Sequence, residues 1–106
     1  MRVSNKFDYF VNNYFSTQRI EIMPYCNGIT FTNLGDTTIT VDGMVLYPGT
    51  IGSIIGDSRT IGGNEGEILA KKQITITFPV GGLNPNLEVI QKYMYEYRLR
   101  YYNSTE

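Results

Sequence analysis

Apolar and polar positions alternate with period two along most of the chain, the spacing of a strand with one face turned inward. Ile29 and Phe31 alternate with Thr30 and Thr32, and Ile39 and Val41 alternate with Thr38 and Thr40. Asn33-Leu34-Gly35-Asp36 separates these runs and reads as a turn, since Asn, Gly and Asp supply turn geometry. Asp42-Gly43 stands between Val41 and Met44. A two-residue Asp-Gly loop predicts a hairpin with a type I′ turn, because both central positions need positive φ. A strand over 44–47 ends at Pro48-Gly49, and a short strand follows over 51–55. Residues 56–66 are rich in Gly and polar side chains and read as a surface loop. A longer strand over 68–78 puts Ile68, Ala70, Ile74, Ile76 and Phe78 on one parity. Lys72 shares that parity, so a β-bulge near 70–72 is expected to turn it to solvent.

The two ends differ from this middle. Residues 1–18 contain Phe7, Tyr9, Phe10, Tyr14 and Phe15 and no Gly or Pro. Val3, Phe7, Phe10, Val11 and Tyr14 recur at helical steps with Ser4 as a cap, while Phe7-Asp8-Tyr9 alternates as a strand would. The segment is expected to be a short helix or an arm. At the other end, Leu87, Val89, Gln91, Tyr93, Tyr95, Tyr97, Leu99 and Tyr101 share one parity. On a helix these tyrosines would scatter, whereas on a strand they make one stripe, so a strand over 87–101 is predicted. Unbroken, it would run about 50 Å at roughly 3.3 Å per residue, more than a domain of this size covers. Part of it is therefore expected to lie inward and part to reach another subunit.

The predicted fold is all-β: a small antiparallel β-sandwich, jelly-roll or immunoglobulin-like, with a short N-terminal helix or arm. Its expected organisation is an aromatic arm over 1–18, a sandwich over 19–102 and a flexible tail over 103–106.

Composition removes several chemistries. The 106 residues include nine Lys plus Arg, ten Asp plus Glu, one Cys and no His, for a net charge of −1. Without His, the Ser-His-Asp and Cys-His systems and the common zinc sites lack a base or a ligand. A net negative charge offers no broad phosphate-neutralising face, so nucleic acid is not an expected partner. Arg98 and Arg100 beside the tyrosine stripe resemble a base-stacking platform, but Glu88 and Glu96 offset them. The glycines between 49 and 66 lack the Gly-Lys-Ser/Thr of a phosphate loop and serve turns. Asp57, Glu65 and Glu67 do not follow a calcium-loop spacing. No metal or cofactor is expected, and no catalytic residue. Cys26, alone, reads as a small buried apolar residue. The longest apolar runs span only a few residues, so neither a secretory leader nor a membrane span is expected.

One stretch carries a family resemblance. Residues 31–49, read as Asn33-x-Gly35-x-x-x-Ile39-Thr40-Val41-Asp42-Gly43-x-x-Leu46-x-Pro48-Gly49, resemble an element of small β-sandwich structural proteins of tailed bacteriophages, including the crAss-like group. The likeness continues through Gly62-Gly63-Asn64-Glu65-Gly66-Glu67-Ile68 and Ile74-Thr75-Ile76-Thr77-Phe78, covering about residues 27–92. It implies a non-enzymatic virion protein made in the host cytoplasm, as a capsid decoration, head-fibre or tail-associated subunit. Its implied partners are capsid or tail proteins of the same particle and further copies of itself. The aromatic ends are the expected contacts: Phe7, Phe10, Tyr14, Phe15, Tyr95, Tyr97 and Tyr101. The alternative is a carbohydrate-binding β-sandwich module, with Tyr95, Tyr97 and the 56–66 loop as a shallow platform.

Overall fold

A computed structural model describes residues 7–49, 55–64, 67–82 and 84–94. Within them are eight strands and no helix: β1 Phe7–Tyr14, β2 Gln18–Glu21, β3 Cys26–Asn33, β4 Ile39–Val41, β5 Met44–Leu46, β6 Ser58–Gly62, β7 Gln73–Thr77 and β8 Leu87–Met94. They form two four-stranded sheets, ordered β1-β8-β3-β6 and β2-β7-β4-β5. The antiparallel pairs are nested, with β4 on β5, β3 on β6, β2 on β7 and β1 on β8. The chain is thus one long hairpin, rolled until its two halves meet again through β3–β8 and β4–β7. That order is a jelly roll, which decides between the two sandwich types expected, since immunoglobulin sheets are ordered differently.

The tip of the hairpin is Asp42-Gly43, where φ is 47° and 88°. Both values are positive, as a type I′ turn requires. The tip is also docked: Asp42 N–H donates to the Thr75 carbonyl at 2.9 Å, and Thr75 N–H donates to Asp42 Oδ1 at 3.0 Å. Lys71 Nζ lies 2.9 Å from Asp42 Oδ2.

In β3, β4, β7 and β8 the inward parities match those read from the alternation, whereas Ile68 and Ala70, expected on the parity of Ile74, are exposed and Leu69 packs against the core instead. Ile29, Phe31, Leu87 and Val89 from one sheet pack against Ile20, Ile39, Val41, Leu46, Ile74 and Ile76 from the other in a single buried cluster. Three side-chain amides, Asn27, Asn33 and Gln91, are buried with them. Asn33 Nδ2 donates to the carbonyls of Thr37 and Leu46 at 2.8 and 3.0 Å, and its Oδ1 accepts the Gly35 N–H at 3.0 Å. Gln91 reaches across the sandwich, accepting the Met23 N–H at 2.7 Å and donating to the Glu21 carbonyl at 3.1 Å. Buried amides satisfied in this way fix the loops they bond, because losing either partner strands a polar group.

Several expectations change. Residues 7–14 are not a short helix or an arm. They form strand β1, paired with β8 along its whole length. The backbone bonds to β8 outweigh a weak helical period in a segment containing Asn12 and Asn13, poor helix formers. The 56–66 loop contains strand β6, on the edge beside β3. Its burial is too slight to print an alternation, with only Ile61 half-buried. The strand expected over 68–78 is shorter, since β7 begins at Gln73 and residues 67–72 run as a connection; no bulge is needed to expose Lys72. The register shift instead lies in β3, between Cys26 and Gly28. Residues 51–54 and 95–101, expected as strand, and the 103–106 tail lie outside the described residues, while Ile55, the last residue of the strand expected over 51–55, is not in a strand.

Two predictions follow from the tip and the neighbouring loop crossing. The Thr75 N–H, and after it Lys71, hold the Asp42 carboxyl below its ordinary pKa. Its contribution is therefore full above the unfolded carboxyl value of about 3.9 and is lost as pH falls through the lower folded value. Asn tolerates positive φ and keeps the acceptor, so Asp42→Asn removes charge alone. The variant is expected to be less stable by about 1 kcal/mol or less at pH 7, with the difference closing as pH falls below about 4 in urea titrations. At Gly35, a Cβ would overlap the Asn84 carbonyl and lie 2.6 Å from the Asn86 N. Both are backbone atoms of the β7–β8 connection, which cannot swing aside as a side chain would. Gly35→Ala should cost more than about 1 kcal/mol, read as a lowered denaturant midpoint.

Candidate functional site

Each sheet of an open sandwich has two edges, and an edge strand presents unpaired N–H and C=O groups. Three of the four edges here are short or charged. Strand β2 has four residues with Arg19 and Glu21, β5 has three, and β6 has five with Arg59. The fourth, β1, has eight residues, reading Phe-Asp-Tyr-Phe-Val-Asn-Asn-Tyr. It carries none of the usual blunting devices, such as Lys, Pro or a bulge, and Asp8 is its one charge. Among the described residues, β8 is its one strand partner.

Both faces of β1 are open. On the outer face lie Phe7, Tyr9, Val11 and Asn13, registered against Met94, Lys92, Ile90 and Glu88 of β8. Tyr9 is 59% and Val11 51% exposed. The Lys92 ammonium sits 4.3 Å from the Phe7 ring centroid, a cation–π contact. The inward parity holds Asp8, Phe10, Asn12 and Tyr14. Of these, Tyr14 packs against the core, while Phe10 remains 42% exposed. The reason is length. Strand β1 runs about 26 Å and β2 about 13 Å at roughly 3.3 Å per residue. Beyond that reach, β1 has little of the opposite sheet beneath it.

The free edge can be assigned residue by residue. Met94 N–H donates to the Tyr25 carbonyl, towards β3. Strand alternation therefore turns the backbone groups of Leu87, Val89, Gln91 and Tyr93 towards β1. Their partners Asp8, Phe10, Asn12 and Tyr14 face β8, which leaves Phe7, Tyr9, Val11 and Asn13 facing outward along the edge. In agreement, Tyr9 N–H donates to Asp8 Oδ1 at 2.8 Å and Asn13 N–H to Asn12 Oδ1 at 3.0 Å. The strand caps two of its own edge donors with the side chain that precedes each.

Beyond β1, Phe15 borders an open pocket of about 340 Å³, lined also by Leu34, Asn84, Pro85 and Asn86. Asn13 Nδ2 donates to Asn86 Oδ1 at 2.9 Å, joining the end of β1 to its rim. The other half of the outer face is a hydroxyl ladder, with Thr30 paired to Thr60 at 2.9 Å and Thr32 to Ser58 at 3.0 Å.

Of the residues expected at an interface, Phe7 and Phe10 lie on opposite faces of β1, Tyr14 is half-buried, and Phe15 is exposed at the pocket. Tyr95, Tyr97 and Tyr101 lie outside the described residues. Tyr9 and Val11 were not among the expected contacts and are more exposed than Phe10; the Phe7-Asp8-Tyr9 alternation is the signal that marks them. Elsewhere, Asp57 Oδ2 accepts the Tyr47 N–H at 3.0 Å, so it closes a loop neck. No group of three metal-ligating side chains occurs among the described residues. Cys26 is buried, its thiol donates to the Gly28 carbonyl, and burial pushes its pKa up. A thiol so placed is a poor nucleophile.

No protein-family model matches the chain, and no curated protein shows significant similarity to it.

The two aromatic positions separate packing from contact. Tyr14→Ala is expected to destabilise the isolated domain by about 2 kcal/mol or more. Phe10→Ala, at an exposed site, should change it by no more than about 0.5 kcal/mol. Urea unfolding of dilute protein checks both.

Proposed function

We propose that this protein is a non-enzymatic structural subunit of a virus particle, which docks on a capsid or tail lattice and on other copies of itself. The observation that carries the reading is the long aromatic edge strand β1, with Asp8 as its one charge, exposed on both faces of a jelly roll. Exposed apolar surface of this kind marks interaction sites in soluble proteins, and Tyr and Phe are enriched at such contacts. The fold alone is no argument for function, but it is one used by viral capsid domains. The phage-like pattern in residues 31–49 is consistent with the same reading. Its Asn33, Gly35, Asp42 and Gly43 are the residues that hold the loops and the hairpin tip. The pattern is therefore a signature of architecture, and no catalytic role falls on it. Capsid or tail proteins are the partners in this reading, and the particle is its location.

A second reading, a carbohydrate-binding module, draws on the pocket beside Phe15. An exposed aromatic ring next to the side-chain amides of Asn84 and Asn86 offers stacking and hydrogen bonds to a sugar-sized ligand. Lectin domains also use this fold.

Mass spectrometry of gradient-purified particles from cells producing the encoding virus is expected to find the chain at a fixed ratio to the lattice proteins. Combined Tyr9→Ser and Phe10→Ser should remove it from the particles while leaving it folded and soluble. Unchanged incorporation would place the contact elsewhere. Micromolar binding of the purified chain on a glycan array, lost with Phe15→Ala, together with absence from particles, would instead favour the carbohydrate reading.

A further inference from the structure

We infer that the free edge of β1 pairs antiparallel with β1 of a second copy, joining two jelly rolls through one continuous eight-stranded sheet, ordered 6-3-8-1-1-8-3-6. The inference deepens the proposed function by naming a partner and a register, and it rests on that reading for treating β1 as a contact surface.

Symmetry restricts the register. Two identical antiparallel strands are related by a two-fold axis perpendicular to the sheet, which keeps each outer face outer. Residues opposite one another must then share parity, so one residue lies opposite its own counterpart. Four centres leave an overlap of at least five residues. Centring on Val11 puts Phe10 opposite Asn12 and Tyr9 opposite Asn13, apolar against amide. Centring on Tyr9 or on Asn12 shortens the overlap to five residues, putting Asp8 opposite Phe10 in the first and Val11 opposite Asn13 in the second. Centring on Phe10 puts Phe10 on Phe10, Tyr9 opposite Val11 twice, Asp8 opposite Asn12 twice and Phe7 opposite Asn13. This last register sets aromatic against apolar at its centre and carboxylate against amide beside it, the pairings that stabilise a sheet, and confines the mismatched Phe7–Asn13 pairs to its two ends.

The backbone groups agree. Tyr9 and Val11 both face the edge, so each can exchange two hydrogen bonds with the other across the axis. The caps on Tyr9 and Asn13 are surrendered in the exchange. Asp8 Oδ1, freed from the Tyr9 N–H, then faces the amide of Asn12 in the second copy, while Oδ2 keeps the bond that the Tyr93 hydroxyl donates to it at 3.3 Å. No like charges meet, because Asp8 is the single charge on the strand. In the isolated chain the same caps blunt the edge, which keeps it from pairing indiscriminately.

One strand pair with its flanking rings buries less than the roughly 1,200 Å² of a standard stable interface. A dimer with Kd of about 1–100 µM is therefore expected. That strength suits a subunit held by many weak contacts at once.

The test is single-cysteine crosslinking with sedimentation equilibrium of the full chain. Phe10 faces its own counterpart in a non-hydrogen-bonded pair, with Cα atoms about 4.5 Å apart, within disulfide range. Cys26 is buried, so its background is low. Phe10→Cys should form a disulfide dimer under mild oxidation at least about 10-fold faster than Val11→Cys or Asn12→Cys. Val11→Pro removes an edge-facing N–H that no strand among the described residues uses, and Pro is tolerated at such positions. It should weaken the dimer at least about 10-fold while leaving the unfolding midpoint near that of the parent. Fastest crosslinking at Val11 would overturn the register. A chain that stays monomeric to about 1 mM without crosslinking would overturn the pairing. Incorporation into particles despite a monomeric chain would sink this inference and spare the proposed function; a dimer absent from particles would do the reverse.

Discussion

The positive φ of Asp42 and Gly43 is the constraint on which the topology depends. A chain that reverses there in two residues fixes β4 against β5 in register. Each outer pair is then laid on the pair before it. Strands β3 and β6 close around the tip, β2 and β7 follow, and β1 and β8 come last. Once nested, the hairpin can bury its apolar parity only by rolling, because a flat two-stranded ribbon has nothing to cover its inner face. The roll brings β8 beside β3 and β7 beside β4. The docking of Asp42 onto Thr75 ties the turn to the strand that the roll carries to it. Local turn chemistry and long-range closure thus meet at one residue.

Buried amides hold the loops that the roll brings together. Asn27 Nδ2 donates to the carbonyls of Asn64 and Glu67 at 2.6 and 2.8 Å, pinning the connection after β6. Asn33 joins the β3–β4 and β5 ends, and Gln91 joins β8 to the β2–β3 connection in the opposite sheet. An apolar side chain at any of these sites would pack but leave backbone carbonyls without partners, which costs more than the packing returns. The amides lie on the same parity as the apolar core residues, so register and loop position are specified together. A one-residue slip would turn them to solvent with everything they hold.

How legible this was depended on how much each segment buries. The parities of β3, β4 and β8 stood out in the sequence because one face is sealed in the core and the other is not. The Asp42-Gly43 turn was legible because few residues adopt its φ values. Strand β6 was not legible, since an edge strand that half-buries only Ile61 leaves no alternation. Strand β1 was read two ways for a related reason. With Tyr9, Phe10 and Val11 all exposed, neither face of it is marked by burial. The described aromatic residues expected to mediate contacts do not share one surface: Phe7 and Phe10 lie on opposite faces of β1, and Tyr14 packs half-buried against the core. Nested pairing, which distinguishes a jelly roll from other sandwiches, is a property of contacts distant in sequence, and no local pattern encodes it.

Strand β1 is held mainly by its ladder to β8, since Tyr14 is its one side chain packed into the core. A segment secured by backbone bonds with little apolar burial opens at lower free energy than the strands beneath it. Evolution of a monomeric domain would ordinarily replace Tyr9, Phe10 and Val11 with polar or charged residues, because their exposure brings no intramolecular gain and invites association. That these residues remain apolar, on a strand whose edge donors are capped by its own Asp8 and Asn12, is best understood if the surface is kept available for a partner. If β1 pairs as inferred, its two caps must be given up, which would oppose pairing until copies are concentrated. Pairing would give Tyr9, Phe10 and Val11 burial that the domain itself does not provide.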